Sequence, residues 1–294
     1  MGAAEVVGGS RQDALVLIGH GSRSSQSGQE MLTLADHVSR ALPSVVVEVG
    51  FLEMTDPPAG AVIDEVVGRG CESVTVLPLV LLGAGHAKSD VPAVVRSARD
   101  RHPSVSIIMG SPLGVSRLPV SLLGQAVVEA GGGGLPLLVV ARGTSDPDAN
   151  GDAHKAARLV AEWAGCGFVH VGFSGVTGPS VLDAAAVFDR LGYQEVAVAW
   201  WYLCHGRLIE RGRDELARFA ADRRMTFLDA GYLGPDRRLV PLVVDRYREA
   251  LAGHPRVNCD VCSYRSPWPG REERVGQAIG RGHSHLAVEH RHSH

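Results

Sequence analysis

The chain has no excess of charge of one sign. Its 29 Lys and Arg are set against 32 Asp and Glu, for a formal net charge of −3, and the two signs are interspersed. No basic field therefore offers a nucleic-acid surface. Long hydrophobic runs are also missing. The longest, residues 74–85, contains Pro78 and falls short of the roughly 20 apolar residues that a bilayer-spanning helix needs, so no membrane association is expected. Five cysteines, an odd number, fit no secreted disulfide framework. No basic-then-apolar leader opens the sequence, and the reducing cytoplasm is the expected compartment. Nucleotide motifs are absent as well. In residues 83–89 Ala87 stands where a P-loop needs the glycine before its lysine, and residues 19–23 do not spell the G-x-S-x-G turn of a hydrolase. An ATP-driven reaction has no support.

What is present is a sequence written twice. The 294 residues, 45% hydrophobic and 21% charged, are enough for two soluble globular domains. An offset of 122 positions places Leu15 on Leu137, Gly21 on Gly143, Val38 on Val160, Phe51 on Phe173, Thr55 on Thr177, Pro57 on Pro179, Gly70 on Gly192 and Val74 on Val196, with no gap. Turn residues and apolar strand positions repeat; reactive residues do not. His20 becomes Arg142 and Glu53 becomes Gly175. Duplication followed by decay of one copy leaves the retained polar residues as the ones that point to function.

Each copy reads as an alternation of strand and helix. Residues 14–19 (ALVLIG) are continuously apolar, as in a strand buried on both faces of a parallel sheet. Residues 26–42 carry Met31, Leu34, Ala35, Val38 and Leu42 at helical spacing. Further strands are expected at 45–51, 73–82 and 105–110. Helices are expected from Pro57-Pro58 to about 67, from an Asp90 N-cap to about 101, and over 115–130. Four glycines at 131–134 mark a linker. The second copy repeats the pattern with strands at 135–141, 168–173, 195–202 and 225–229. Its helices fall near 152–164, 180–191, 211–222 and 241–252. The expected architecture is α/β: two similar lobes, 1–130 and 135–255, each a four-stranded parallel sheet flanked by helices. A tail over 256–294, rich in Gly, Pro, His and charge, is expected to be mobile.

In open parallel sheets ligands bind beyond the carboxyl ends of the strands. Three polar residues of the first copy fall there. His20 follows the first strand in Gly19-His20-Gly21-Ser22-Arg23, Glu53 follows the second in Phe51-Leu52-Glu53, and His86 follows the third in Gly85-His86-Ala87-Lys88-Ser89-Asp90. Two imidazoles and a carboxylate suit a divalent transition metal with open positions, and the same groups accept protons near neutral pH. Any one histidine at a strand end is more often a hydrogen-bonding loop residue. Three polar groups at one edge, all missing from the second copy, shift the balance to a site. His205, in Leu203-Cys204-His205-Gly206, follows a third strand too but is displaced from the offset expected for His86. Arg23, Lys88 and Arg142 stand near the same edge, where cations suit an anionic ligand. Cys259 and Cys262 form a single C-x-x-C; zinc or an iron–sulfur cluster usually takes four ligands, and a homodimer could supply the other two. Cys71, Cys166 and Cys204 read as buried packing residues. Of thirteen histidines, five (His283, His285, His290, His292 and His294) crowd the last dozen residues, a composition that reads as metal binding or storage.

The motifs Leu17-Ile18-Gly19-His20-Gly21-Ser22-Arg23, Val49-Gly50-Phe51-Leu52-Glu53 and Gly85-His86-Ala87-Lys88-Ser89-Asp90-Val91-Pro92 resemble those of the sirohydrochlorin chelatases, the class II chelatase superfamily, in its long two-lobed form. The resemblance covers nearly the whole chain, and the CDVCSYR stretch at 259–265 fits the ending of the long members. It implies ATP-independent insertion of cobalt or iron into a tetrapyrrole, in cobalamin or sirohaem biosynthesis. His20 and His86 would bind the metal and take pyrrole protons, with Glu53 assisting. Ser22, Arg23, Lys88, Arg142 and His205 would line the cleft for the polycarboxylate substrate, and an iron–sulfur cluster at Cys259 and Cys262 is compatible with the family. The competing reading is a non-enzymatic metal carrier or storage protein that uses the His-rich tail. A hydrolase with Ser22 as nucleophile and His20 as base is weaker, since no orienting acid is evident.

Overall fold

The computed structural model describes residues 12–22 and 24–253. The first lobe contains β1 (Gln12–Gly19), α1 (Ser25–Ala41), β2 (Val45–Phe51), α2 (Ala59–Gly68), β3 (Cys71–Pro78), α3 (Val91–Arg101), β4 (Ser106–Met109) and α4 (Arg117–Glu129). The second contains β5 (Leu137–Ala141), α5 (Pro147–Ala164), β6 (Val169–Phe173), α6 (Val181–Arg190), β7 (Glu195–Trp200), α7 (Arg207–Ala221), β8 (Thr226–Tyr232) and α8 (Val240–Leu251). The sheets are wholly parallel, ordered β2-β1-β3-β4 and β6-β5-β7-β8. The expected α/β fold with two four-stranded lobes is the fold observed.

The period-2 alternation of each central strand divides the core. Ala14, Val16 and Ile18 pack with Val62 and Ile63 of α2 and Val95 of α3 on one face. Leu15 and Leu17 face the other way, into a cluster that also holds Leu137 and Val139 of β5. Leu138 and Val140 pack outward against Phe188 of α6 and Ile209 of α7. The two inner sheet faces therefore share one core, filled by helices α1, α4, α5 and α8. The lobes also exchange their last helices. Helix α4 packs on β7 and β8 of the second sheet, and α8 packs on β3 and β4 of the first.

The repeat extends to the backbone. Gly50 lies so near α2 that a Cβ there would sit 2.6 Å from Ala59 Cα, and its counterpart Gly172 would meet Val181 Cα at 3.2 Å. Only glycine allows the helix that close to the strand.

Several expected boundaries shift. The glycine run is no flexible linker. The N–H of Gly132 donates to Val127 O at 2.8 Å, and a Cβ on this buried residue would fall 2.6 Å from Ala197 Cβ, so it is a tight packed turn. Strand β3 stops at Pro78 rather than at 82, because proline has no N–H to continue the ladder. Helix α5 begins at Pro147, five residues before the expected start, because Asp146 caps it by accepting the Asp148 N–H at 3.0 Å. Asp90 does not cap α3; it has helical dihedrals and no side-chain cap bond.

Candidate active site at the carboxyl edges of the two sheets

Strand β1 lies between β2 and β3, so the loops leaving these three strands are neighbours at one edge. His20 is the first residue past β1. The loop carrying it rests on the loop after β2: the Glu53 N–H donates to His20 O at 3.1 Å, and a Cβ on Gly21 would lie 1.7 Å from Glu53 O. Gly21 takes φ +92°, and no other residue would fit. Thr55 staples the two loops. Its Oγ1 accepts the Ser22 N–H at 2.9 Å and its hydroxyl donates to Ser22 O at 3.0 Å. His86 opens a π-helical turn, His86–Asp90, closed by the Val91 N–H on His86 O. Such turns recur at functional sites.

These loops bring three ligand-type side chains together. One donor atom each from His20, Glu53 and His86 lie within 4.8 Å of one another. His20 Nε2 is 3.1 Å from Glu53 Oε1, and the two imidazole centroids are 4.3 Å apart. All three are half-buried. A tetrahedral ion with ligand bonds near 2.1 Å sets its donors about 3.4 Å apart, so one ion fits with small side-chain adjustments. His86 Nδ1 is 2.6 Å from Asp90 Oδ2. That bond holds the ring and leaves Nε2 as the nitrogen able to bind a metal, the carboxylate–histidine arrangement common behind metal ligands. Sequence reasoning treated Asp90 as a helix cap. Its i+4 spacing from His86 within HAKSD is the signal that could have revealed it.

The second lobe meets this edge. Lys88 Nζ lies 2.8 Å from Asp146 Oδ2 and 3.3 Å from Asp148 Oδ2, with the lysine side chain only 10% exposed. Lys88, expected from the sequence to suit an anionic ligand, thus has its ammonium against two carboxylates of the other lobe. Glu30, buried on α1, accepts the His205 backbone N–H at 2.7 Å and the Tyr232 hydroxyl at 2.6 Å. His205 thus stands beside the lobe junction, its Nε2 3.4 Å from Glu210. Its Nδ1 is buried without a hydrogen-bond partner. Neither Glu30 nor Tyr232 carried a motif that sequence alone could single out.

At the equivalent edge of the second lobe, Arg142 is exposed and Tyr202 bonds Ser174. Burial pushes the Tyr202 hydroxyl up to about 12, and the nearby Arg142 and Arg211 oppose that rise. Burial likewise pushes the Cys204 thiol up to about 12, so it remains a packing thiol. The backbone at the Glu53-equivalent position of the second lobe is closed to a side chain. A Cβ on Gly175 would fall 2.3 Å from Arg142 O, so no glutamate fits where Glu53 has its counterpart. The Ser22 hydroxyl accepts the Ser24 N–H at 3.1 Å. Arg23, Cys259, Cys262, His283, His285, His290, His292 and His294 lie outside the described residues. No helix among those described is long and apolar enough to cross a membrane.

Fold and cluster together define a class: a duplicated parallel α/β protein with three metal-type donors at the carboxyl edge of its first sheet, beside the turn whose Lys88 reaches the second lobe. The chain belongs to the CbiX family, whose model matches residues 14–130 and 136–250. It is 32% identical to the sirohydrochlorin cobaltochelatase of Priestia megaterium over 88% of this chain and 87% of that protein. It is 27% identical to the sirohydrochlorin ferrochelatase of the same organism, over 76% and 84%. Among solved structures, SirB from Bacillus subtilis with Fe3+ superposes with a TM-score of 0.72 at 26% identity, covering 82% of this chain and 96% of that one.

Proposed function

We propose that this protein inserts a divalent metal, Co2+ or Fe2+, into sirohydrochlorin without ATP. The observation that carries the reading is the convergence of His20, Glu53 and His86 at a half-open edge facing a second lobe that has lost those residues. Insertion exchanges two pyrrole N–H protons for one M2+. The site must therefore hold a metal weakly enough to release it and supply bases for two protons. Imidazole serves both needs, as a ligand when neutral and a base near pH 7. A thiolate-rich site would retain the ion, and the three-donor set contains none. Relatives named for cobalt and for iron support a metal substrate of this class.

In this reading His20 and His86 receive the metal and take the pyrrole protons, with Glu53 assisting. Asp90 orients His86. The exposed Arg142, beside Tyr202, meets a substrate carboxylate from the second lobe, while Ser22 and His205 line the cleft. The test is the visible spectrum of sirohydrochlorin with catalytic protein and Co2+, then Fe2+ without oxygen. Conversion faster than the uncatalysed rate is expected, and the metal giving the larger acceleration names the physiological ion. His20→Ala and His86→Ala should each lower the rate at least 100-fold, on the order of the loss of an acid–base group, with an unchanged melting temperature. Wild-type rates in both variants would sink the assignment.

A further inference from the structure

Met54, directly after Glu53, is the sole non-glycine residue with positive φ (+58°) among the described residues. It sits at the centre of a three-residue turn closed by the Thr55 N–H on Glu53 O at 2.7 Å. L-residues adopt this conformation only at a cost that glycine escapes, and strained residues of this kind cluster at ligand sites. The turn is held in place by the Thr55–Ser22 staple described above. The turn carries an exposed apolar side chain: Met54 is 54% exposed, next in sequence to the Glu53 carboxylate. Its counterpart in the second lobe is Val176, 74% exposed and likewise apolar. The metal-type ligand at 53 has become Gly175, yet the apolar tip beside it remains. Both lobes thus present an exposed apolar residue at this position, whether or not the preceding residue is a metal-type ligand.

We infer that Met54 contacts the tetrapyrrole itself, its flexible, polarisable thioether laid against the flat apolar macrocycle. Arg142 meets the charged rim. Met54 is then a determinant of substrate affinity in the metallation reaction. This rests on the chelatase reading.

The test measures initial metallation rates against sirohydrochlorin concentration at saturating Co2+, Co2+ affinity without tetrapyrrole, and melting temperature, all on the full chain. Met54→Gly removes the side chain and relieves the backbone. It should raise KM for sirohydrochlorin about tenfold, the scale of a partly buried apolar side chain. Turnover should stay within about twofold, with Co2+ affinity unchanged and melting temperature equal or higher. Met54→Leu, which restores apolar bulk, should keep KM within about twofold of wild type. An unchanged KM in Met54→Gly, a fall in turnover at constant KM, or a loss of Co2+ affinity would each overturn the inference. Failure of the wild-type chain to accelerate metallation with either ion would remove the chelatase reading and this inference together; an aberrant variant in an active background removes only the inference.

Discussion

Asp90 begins α3 without capping it, because its carboxylate is taken by His86 one turn earlier. The usual helix-end bond has been exchanged for orientation of an imidazole. A contrasting histidine is His170 on β6, against Phe188. Burial, with the neighbouring His154, holds it below the ordinary histidine range. The unfolded chain, with a value near about 6.5, binds that proton more readily than the folded one. His170 therefore contributes stability above about pH 6.5 that is lost as pH falls through its depressed folded value. Replacing it with glutamine should flatten the stability loss between about pH 7 and 5, measured by urea denaturation. An unchanged acid slope would exclude His170 as its source.

The turn between α4 and β5 is set by packing. Read alone, four glycines mean slack; in the fold, Gly132 is buried against Ala197 and backbone-bonded to Val127. A methyl group there meets a backbone oxygen, Val127 O, at 3.1 Å as well as Ala197 Cβ, so relaxation has to move main chain. Gly132→Ala should cost about 2 kcal/mol, as overpacking does. Gly134→Ala keeps open space around its Cβ but is penalised by its φ of +80°, and should cost about 1 kcal/mol. Denaturant midpoints of the two variants separate these causes. The same distinction explains the strand ends: apolar runs show where a strand can go, and proline or a side-chain cap shows where it stops.

At the scale of the molecule, the lobe with no metal-type cluster among its described residues anchors the one that has it. The turn bearing His86 is tied through Lys88 to Asp146 and Asp148 of the second lobe, and the Asp146 side chain is 3% exposed. Removing one partner of a buried pair leaves the other charge uncompensated. Lys88→Met should therefore destabilise the protein by about 3 kcal/mol. Asp146→Asn, which retains a capping side chain, should cost less. In a double-mutant cycle the two should couple by about 1 kcal/mol or more; additive effects would show that the pair does not join the lobes. The exchange of α4 and α8 has the same consequence, since each sheet is completed by a helix from the other half of the chain.

The sequence by itself determined the strand–helix alternation, the duplication and the three polar residues at strand ends. Those are local or periodic properties, and an uninterrupted offset preserves them. The expected lobes, 1–130 and 135–255, follow the chain, whereas the packing units trade their last helices, because which sheet a helix covers depends on surfaces distant in sequence. The partners of Lys88 and Glu30 were likewise decided only in three dimensions. An isolated charge in a sequence carries no record of the partner that folding brings within hydrogen-bonding distance of it. The site's residue types were legible from one strand to the next; the tie that fixes the His86 turn to the second lobe joins Lys88 to Asp146 and Asp148 from the other half of the chain, and forms only when both lobes have folded.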